Sequence, residues 1–155
     1  MIGAMWLGMM YASAANPELS TLHKVKIEHK NGLQVTANEA LWNRKERSVV
    51  LTGDVSLKQH SWLFQAASMK LFFTKQNQLS RVLAQQKVRL QHELGKAKAE
   101  AATWEWKKQQ ITLQGSPLLE SKDGQFRGGK IIILLESDEI RCTQGCSLVL
   151  SEPRK

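Results

Sequence analysis

Apolar and polar residues alternate through most of this chain, and the alternation recurs as a repeat. Four segments align without internal gaps: Thr36 to Trp42, Gln65 to Leu71, Lys98 to Trp104, and Arg127 to Ile133. They begin at 36, 65, 98 and 127, so successive starts lie 29, 33 and 29 residues apart. A small residue recurs at the second place (Ala37, Ala66, Ala99, Gly128), an apolar one at the fifth (Ala40, Met69, Ala102, Ile131) and a large apolar one at the seventh (Trp42, Leu71, Trp104, Ile133). The step of two between fifth and seventh places is the period of a strand with one buried face. Each segment runs into a polar cluster that predicts a hairpin turn: Asn43 to Arg47, Thr74 to Gln78, Lys107 to Gln110, and Glu136 to Glu139.

Beyond each turn the same offsets predict a second strand. They align Val49, Leu51, Gly53, Val55 and Leu57 with Val82, Ala84, Gln86, Val88 and Leu90, and these with Ile111, Leu113, Gly115, Pro117 and Leu119. Ser56, Lys58, Lys87, Arg89, Thr112 and Gln114 fall between them, so the sheet has one apolar and one wet face. A further step reaches Ile140, Cys142, Gln144, Cys146 and Leu148, where the pattern weakens as befits a terminal unit. Ahead of the first unit, Val25 and Ile27 alternate with Lys24, Lys26 and Glu28, and Asn31-Gly32 is a strong hairpin signal. The stretch from Glu93 to Gln110 is rich in Ala, Lys and Glu and would suit an amphipathic helix on propensity alone. Its place in the repeat predicts a strand.

Hairpins of this kind cannot bury their apolar faces singly, so they pair into two sheets or one curled sheet. The fold class expected is all-β, in one domain. An ordinary sandwich fills the roughly 10 Å between its sheets with large side chains. Here Ala37, Ala40, Gly53, Ala66, Ala84, Ala99, Ala102 and Gly115 occupy inward places, which leaves room along the axis. The residues expected to line that space are Leu51, Val55, Leu57, Met69, Leu71, Val88, Leu90, Trp104, Leu113, Ile131 and Ile133. Plain core packing would place each of them the same way.

Composition narrows the setting. At 155 residues the chain has room for one domain. The run from Met1 to Tyr11 is apolar and leads to Ala12-Ser13-Ala14, the small-x-small pattern of a signal-peptidase site, so residues 1–14 read as a signal peptide and 15–155 as the domain. The positive residues usual ahead of such a run are missing, and a truncated membrane anchor is the rival reading, although a full span needs roughly 20 apolar residues. The net charge of +8 suits a phosphorylated lipid, a nucleic acid or an anionic surface. Lys58, Lys87, Arg89, Lys107, Lys108, Arg127 and Lys130 are the basic residues for such a partner, and a solvated strand face would look alike. In an oxidising compartment Cys142 and Cys146 can form a disulfide if the chain turns at Gln144-Gly145. An extended strand would hold them apart, because their Cα atoms must lie within about 7 Å.

His23, His29, His60 and His92 are scattered, and neither a nucleophile motif nor a phosphate-binding loop occurs, so an enzyme is not expected and no cofactor or metal is implied. A basic single-stranded nucleic-acid module is a different class of reading, with Trp42, Trp62, Trp104 and Trp106 as stacking platforms. The secretory start, the inward register of two of these residues and the lack of aromatics on a basic face oppose it. A third reading is an envelope repeat protein that polymerises through its edges without a ligand.

The strand Thr36 to Trp42, the strand Val49 to Gln59 centred on Leu51-Thr52-Gly53-Asp54-Val55, and Leu113 to Leu119 followed by Phe126 to Ile131 together resemble the OstA-like/LptA family of lipopolysaccharide-transport proteins. The resemblance runs from about Ile27 to Ile140. It implies a slightly open, V-shaped β-jellyroll in the periplasm that holds the acyl chains of lipid A and bridges inner and outer membranes. Its partners would be lipopolysaccharide and the jellyroll proteins of the two membranes, with head-to-tail self-assembly through terminal edges. A membrane-anchored member of the same family is the near alternative. The chain departs from the family pattern at Gln86, where glycine is typical, and in its cysteine pair.

Overall fold

A computed structural model describes residues 25–29 and 32–151. The segment 1–14, expected to be a signal peptide, and Asn31 lie outside the described residues.

Strands β1 (Val25–Glu28), β2 (Gln34–Ala37) and β3 (Glu39–Asn43) lead into four long ones, β4 (Ser48–Gln59), β5 (Trp62–Phe73), β6 (Leu79–His92) and β7 (Gly95–Glu105). Short strands follow: β8 (Gln110–Gln114), β9 (Leu118–Ser121), β10 (Gly124–Arg127), β11 (Lys130–Leu134), β12 (Glu139–Thr143) and β13 (Ser147–Leu150). All belong to one 13-stranded hydrogen-bonded sheet, antiparallel throughout. β7 is a strand bonded to β6 along its whole length, so cross-strand pairing has overridden the helical propensity of its Ala, Lys and Glu residues.

The sheet folds over on itself because every long strand serves two half-sheets. In the first, β3 pairs with Ser48–Thr52 of β4, and the ladder continues through the far part of β5, the near part of β6 and the far part of β7 to β8, β11 and β12. In the second, β1 and β2 lie beside the far part of β4, and the ladder continues through the other parts of β5, β6 and β7 to β9, β10 and β13. The result is the slightly open V of a β-jellyroll.

The fold line is written in pairs of residues with left-handed backbone: Gly53 (φ 87°) and Asp54 (44°), Gln86 (67°) and Lys87 (54°), Gly115 (82°) and Ser116 (51°), Gln144 (66°) and Gly145 (77°). At the first two pairs the ladder skips, between Thr52 and Val55 and between Gln85 and Val88, which is a β-bulge. Bulges bend a strand and sharpen its twist, and the other two pairs interrupt the chain between β8 and β9 and between β12 and β13, so four corners in line turn one sheet into two facing halves. On the strands running the other way the corner is a step of three. Ala66 and Met69 are buried with Ala67 and Ser68 between them, and Ala99 and Ala102 behave alike. The second and fifth places of the repeat therefore flank the corner.

Facing residues at the corners also divide their bulk. A Cβ on Gly53 would lie 2.8 Å from that of Asn38, one on Gly115 2.5 Å from that of Glu100, and one on Gly129 2.7 Å from that of Gln144. Each of these pairs contains one glycine because two side chains do not fit.

The apolar faces of both halves meet in one core that runs from Leu33 and Val35 to Ile131. Two expectations need correction. The segment from Thr36 to Trp42 is broken at Asn38, which is the corner itself. Gly53 and Gly115 sit at the fold line and do not widen the interior. Ala40 shares the inner face with its cross-strand partner Leu51 but is exposed, because β3 is an edge strand.

Candidate functional site

The strands end in two rows of turns. The first row, at 44–47, 74–78, 106–109 and 135–138, matches the polar clusters of the repeat. Its members are tied together: the Phe73 amide donates to the Arg47 carbonyl at 2.9 Å, that of Trp106 to Ser80 at 3.0 Å, and that of Leu135 to Gln109 at 2.9 Å. Arg47 also donates through Nε to the Thr74 carbonyl at 2.9 Å. Beside it Glu46 accepts from Ser48 and pairs with Lys70, and these contacts hold its carboxyl below the usual carboxylate range. The second row, with His29, Gly32 and Leu33 in its first turn and the others at 60–61, 93–94 and 122–123, closes the other half-sheet. Its later turns are only two residues long, too short to break the alternation visibly, which is why the repeat did not announce them.

Between the two rows, toward the C-terminal part of the molecule, lies a cleft of about 750 Å³. The first half-sheet contributes Trp104, Trp106, Ile133, Leu135 and Ile140, and the second Gln59, Trp62, Leu90, Ala97 and Leu119. Lys96, Lys122, His60, His92, Asp123 and Asp138 also line it, from the turns or beside them. The walls are thus chiefly hydrocarbon and aromatic, with charge at the rim.

Aromatic rings cross the V here. Trp62, from the second half-sheet, meets the edge of Trp104 at 5.6 Å between centroids and stacks on His92 at 4.1 Å. Trp104 stacks on Trp106 at 4.3 Å and on Phe64 at 5.9 Å. Trp104 is 4% exposed, and its indole N–H has no acceptor among the described residues.

Of the residues expected to line an interior space, Leu90, Trp104 and Ile133 face this cleft. Leu51, Val55, Leu57, Met69, Leu71, Val88, Leu113 and Ile131 are buried in the shared core deeper in the V. The basic residues singled out in the sequence are spread over outer surfaces, and none lines the cleft, whose cations are Lys96 and Lys122. Those two stand next to second-row turns, and only recognition of that row would have found them. Trp62, Trp104 and Trp106 are packed together at the mouth and present no row of open stacking faces. Among the described residues no group of three or more His, Cys, Asp or Glu is placed to hold a metal ion, and no helix is long and apolar enough to cross a membrane.

Cys142 and Cys146 are joined by a disulfide across the fourth corner, with Cα atoms 5.9 Å apart. The bond lies against Gly128, where a Cβ would approach the Cys142 sulfur to 2.5 Å. That contact explains why the last unit carries glycine where the others carry Ala37, Ala66 and Ala99.

No curated protein sequence matches the chain significantly. Among solved structures it is similar to LptH, described as the LptA-homologous periplasmic component of the conserved lipopolysaccharide transport device of Pseudomonas aeruginosa. The TM-score is 0.73 at 15% identity, over 81% of this chain and 99% of that one, which is a likeness of fold. The family model described as LptA/(LptD N-terminal domain) LPS transport protein matches residues 34–139, from β2 into β12 and through all four long strands, and the chain belongs to that family.

Proposed function

We propose that this protein is a periplasmic carrier of lipopolysaccharide that holds the acyl chains of lipid A between its half-sheets and serves as a link between inner and outer membranes. The observation that carries the reading is the cleft itself, an apolar interior that opens between two rows of turns and has cations only at its rim. Burial of hydrocarbon contributes about 0.8 kcal/mol per CH₂, so a single acyl chain lodged there outweighs the cost of ordering it. The same arithmetic makes holding easy and release hard. A path along which chains slide between similar apolar surfaces avoids exposing them to water, and end-to-end pairing of protomers through their edge strands provides one. The deeper residues, from Leu51 to Ile131, become accessible to lipid when the half-sheets part at the aromatic contact.

The test belongs at the cleft wall. Leu57 and Val88 are 0% and 1% exposed, so a charge at either tests folding first. Ile133 is half-buried and faces the cleft. A photo-crosslinking residue at Ile133 should capture lipopolysaccharide in cells, whereas the same residue at Lys87, on the outer surface, should not. Equal capture at the two positions would remove the groove from consideration.

A further inference from the structure

Resting on the lipid-carrier reading, we infer that Trp104 is the residue through which the cleft reads the acyl linkage of its ligand. Its indole N–H donates to the ester or amide carbonyl that joins a fatty chain to its head group.

Three observations lead there. A buried donor with no acceptor is costly, and native structures rarely keep one without a use. Trp104 has such a donor, is 4% exposed, and lines the cleft; the described protein offers the donor no acceptor, and because the nitrogen itself is covered, a bound molecule reaches it when the half-sheets part at the aromatic contact. Second, Gln59 is one of the two buried polar side chains among the described residues, 7% exposed, and it lines the same cleft. Two buried side chains with polar groups, set deeper than the charged rim, are the pattern of a site that fixes a ligand's orientation. Third, polarity is graded. The surroundings of Trp104 are Trp62, Phe64 and Trp106, while the cations Lys96 and Lys122 are exposed.

This gradation selects the ligand chemistry. A phosphate would not shed its water to reach a neutral indole among aromatic rings. A carbonyl at the top of a hydrocarbon chain brings no net charge, offers the missing acceptor, and leaves an anionic head group level with the two lysines. A plain hydrocarbon or an ether-linked chain would fill the cleft and leave the donor unmet. Sites built to bond a polar group reject analogues that lack it more strongly than apolar walls reject a change of size.

The experiment uses the full chain and two probes that differ by one carbonyl, palmitoyl lysophosphatidylcholine and its hexadecyl ether analogue, titrated calorimetrically below their micelle thresholds. The unaltered protein should bind the acyl form about tenfold more tightly, the effect of one hydrogen bond of about 1.4 kcal/mol. Trp104→Phe, which keeps an aromatic ring and deletes the donor, should bind both probes with the affinity of the ether form. Retention of the acyl preference by Trp104→Phe would overturn the inference. Equal binding of the two probes by the unaltered protein would also overturn it, and would leave the lipid groove standing. Binding of neither probe would sink the carrier reading and this inference with it. The comparison on the unaltered protein decides the matter even if the variant fails to fold.

Discussion

At the scale of single residues the corners set the terms. Left-handed backbone costs a residue with a side chain about 1–2 kcal/mol, and glycine escapes that cost. Gly53 and Gly115 fill the first residue of their corners, whereas Gln86 adopts φ 67° at the equivalent place, facing Ala67 in the continuing register. Gln86→Gly should therefore stabilise the protein by about 0.5–1 kcal/mol once the greater freedom of glycine in the unfolded chain is set against the relieved strain. Thermal or urea unfolding reads the difference. Gly115→Ala should act in the opposite direction and more strongly, since its Cβ would meet both left-handed backbone and the Glu100 Cβ at 2.5 Å. A neutral result for both would mean that the corners relax freely and do not fix the fold line. The sequence carried a trace of this geometry, since Gln86 stands out in the aligned register. What the residues alone did not reveal is that the aligned position is a hinge between half-sheets, because alternation continues through β4 as though the strand were straight.

At the scale of elements, pairing was legible wherever polar clusters interrupted the alternation. The first row of turns lies at the four clusters, and the step of three between Ala66 and Met69 already encoded the corner. The second row was hidden, because turns such as 60–61 and 93–94 occupy two residues inside stretches that read as continuous, and the cleft depends on that row. The last unit shows how a hairpin without a following neighbour holds its corner. Cys142 and Cys146 occupy the register places that Leu51 and Val55, or Leu113 and Pro117, fill with buried side chains elsewhere. Here β12 and β13 are largely exposed, so burial stabilises little and a covalent bond takes its place. Closing so small a loop contributes about 2 kcal/mol on the chain-entropy model. Replacing both cysteines by serine should therefore speed amide exchange in β12 and β13 and leave β4 to β7 unchanged. Uniform acceleration across all strands would show instead that the disulfide supports the whole domain.

At the scale of the whole molecule, a V built from half-sheets has, among the described residues, free edges at both ends: β1 and β3 at one, β12 and β13 at the other. Unpaired strand edges invite another chain, and proteins that must stay single protect them with charge, proline or cover. β1 and β12 carry charge, in Lys26, Glu28, Glu139 and Arg141, whereas β3 and β13 expose apolar side chains. Leu41 and Trp42 on β3 are 69% and 47% exposed, and Leu148, Val149 and Leu150 on β13 are 51%, 61% and 68% exposed. If β12 and β13 of one protomer pair with β3 and β1 of the next, both half-sheets continue and their interiors join, which is the geometry a sliding acyl chain requires. The net charge of +8 opposes that union, because like-charged protomers repel until salt screens them. Self-association followed by analytical ultracentrifugation should accordingly strengthen between low and physiological ionic strength, where the screening length shrinks to about 8 Å. Val149→Lys should weaken it at every salt concentration by adding charge to an apolar edge, while binding of a lipid probe to the isolated protomer is unchanged. An assembly that dissolves as salt rises would point to ion pairs as its glue. An assembly indifferent to Val149→Lys would place the contact somewhere other than the C-terminal edge, and either result would detach the continuous groove from the edges that this structure leaves open.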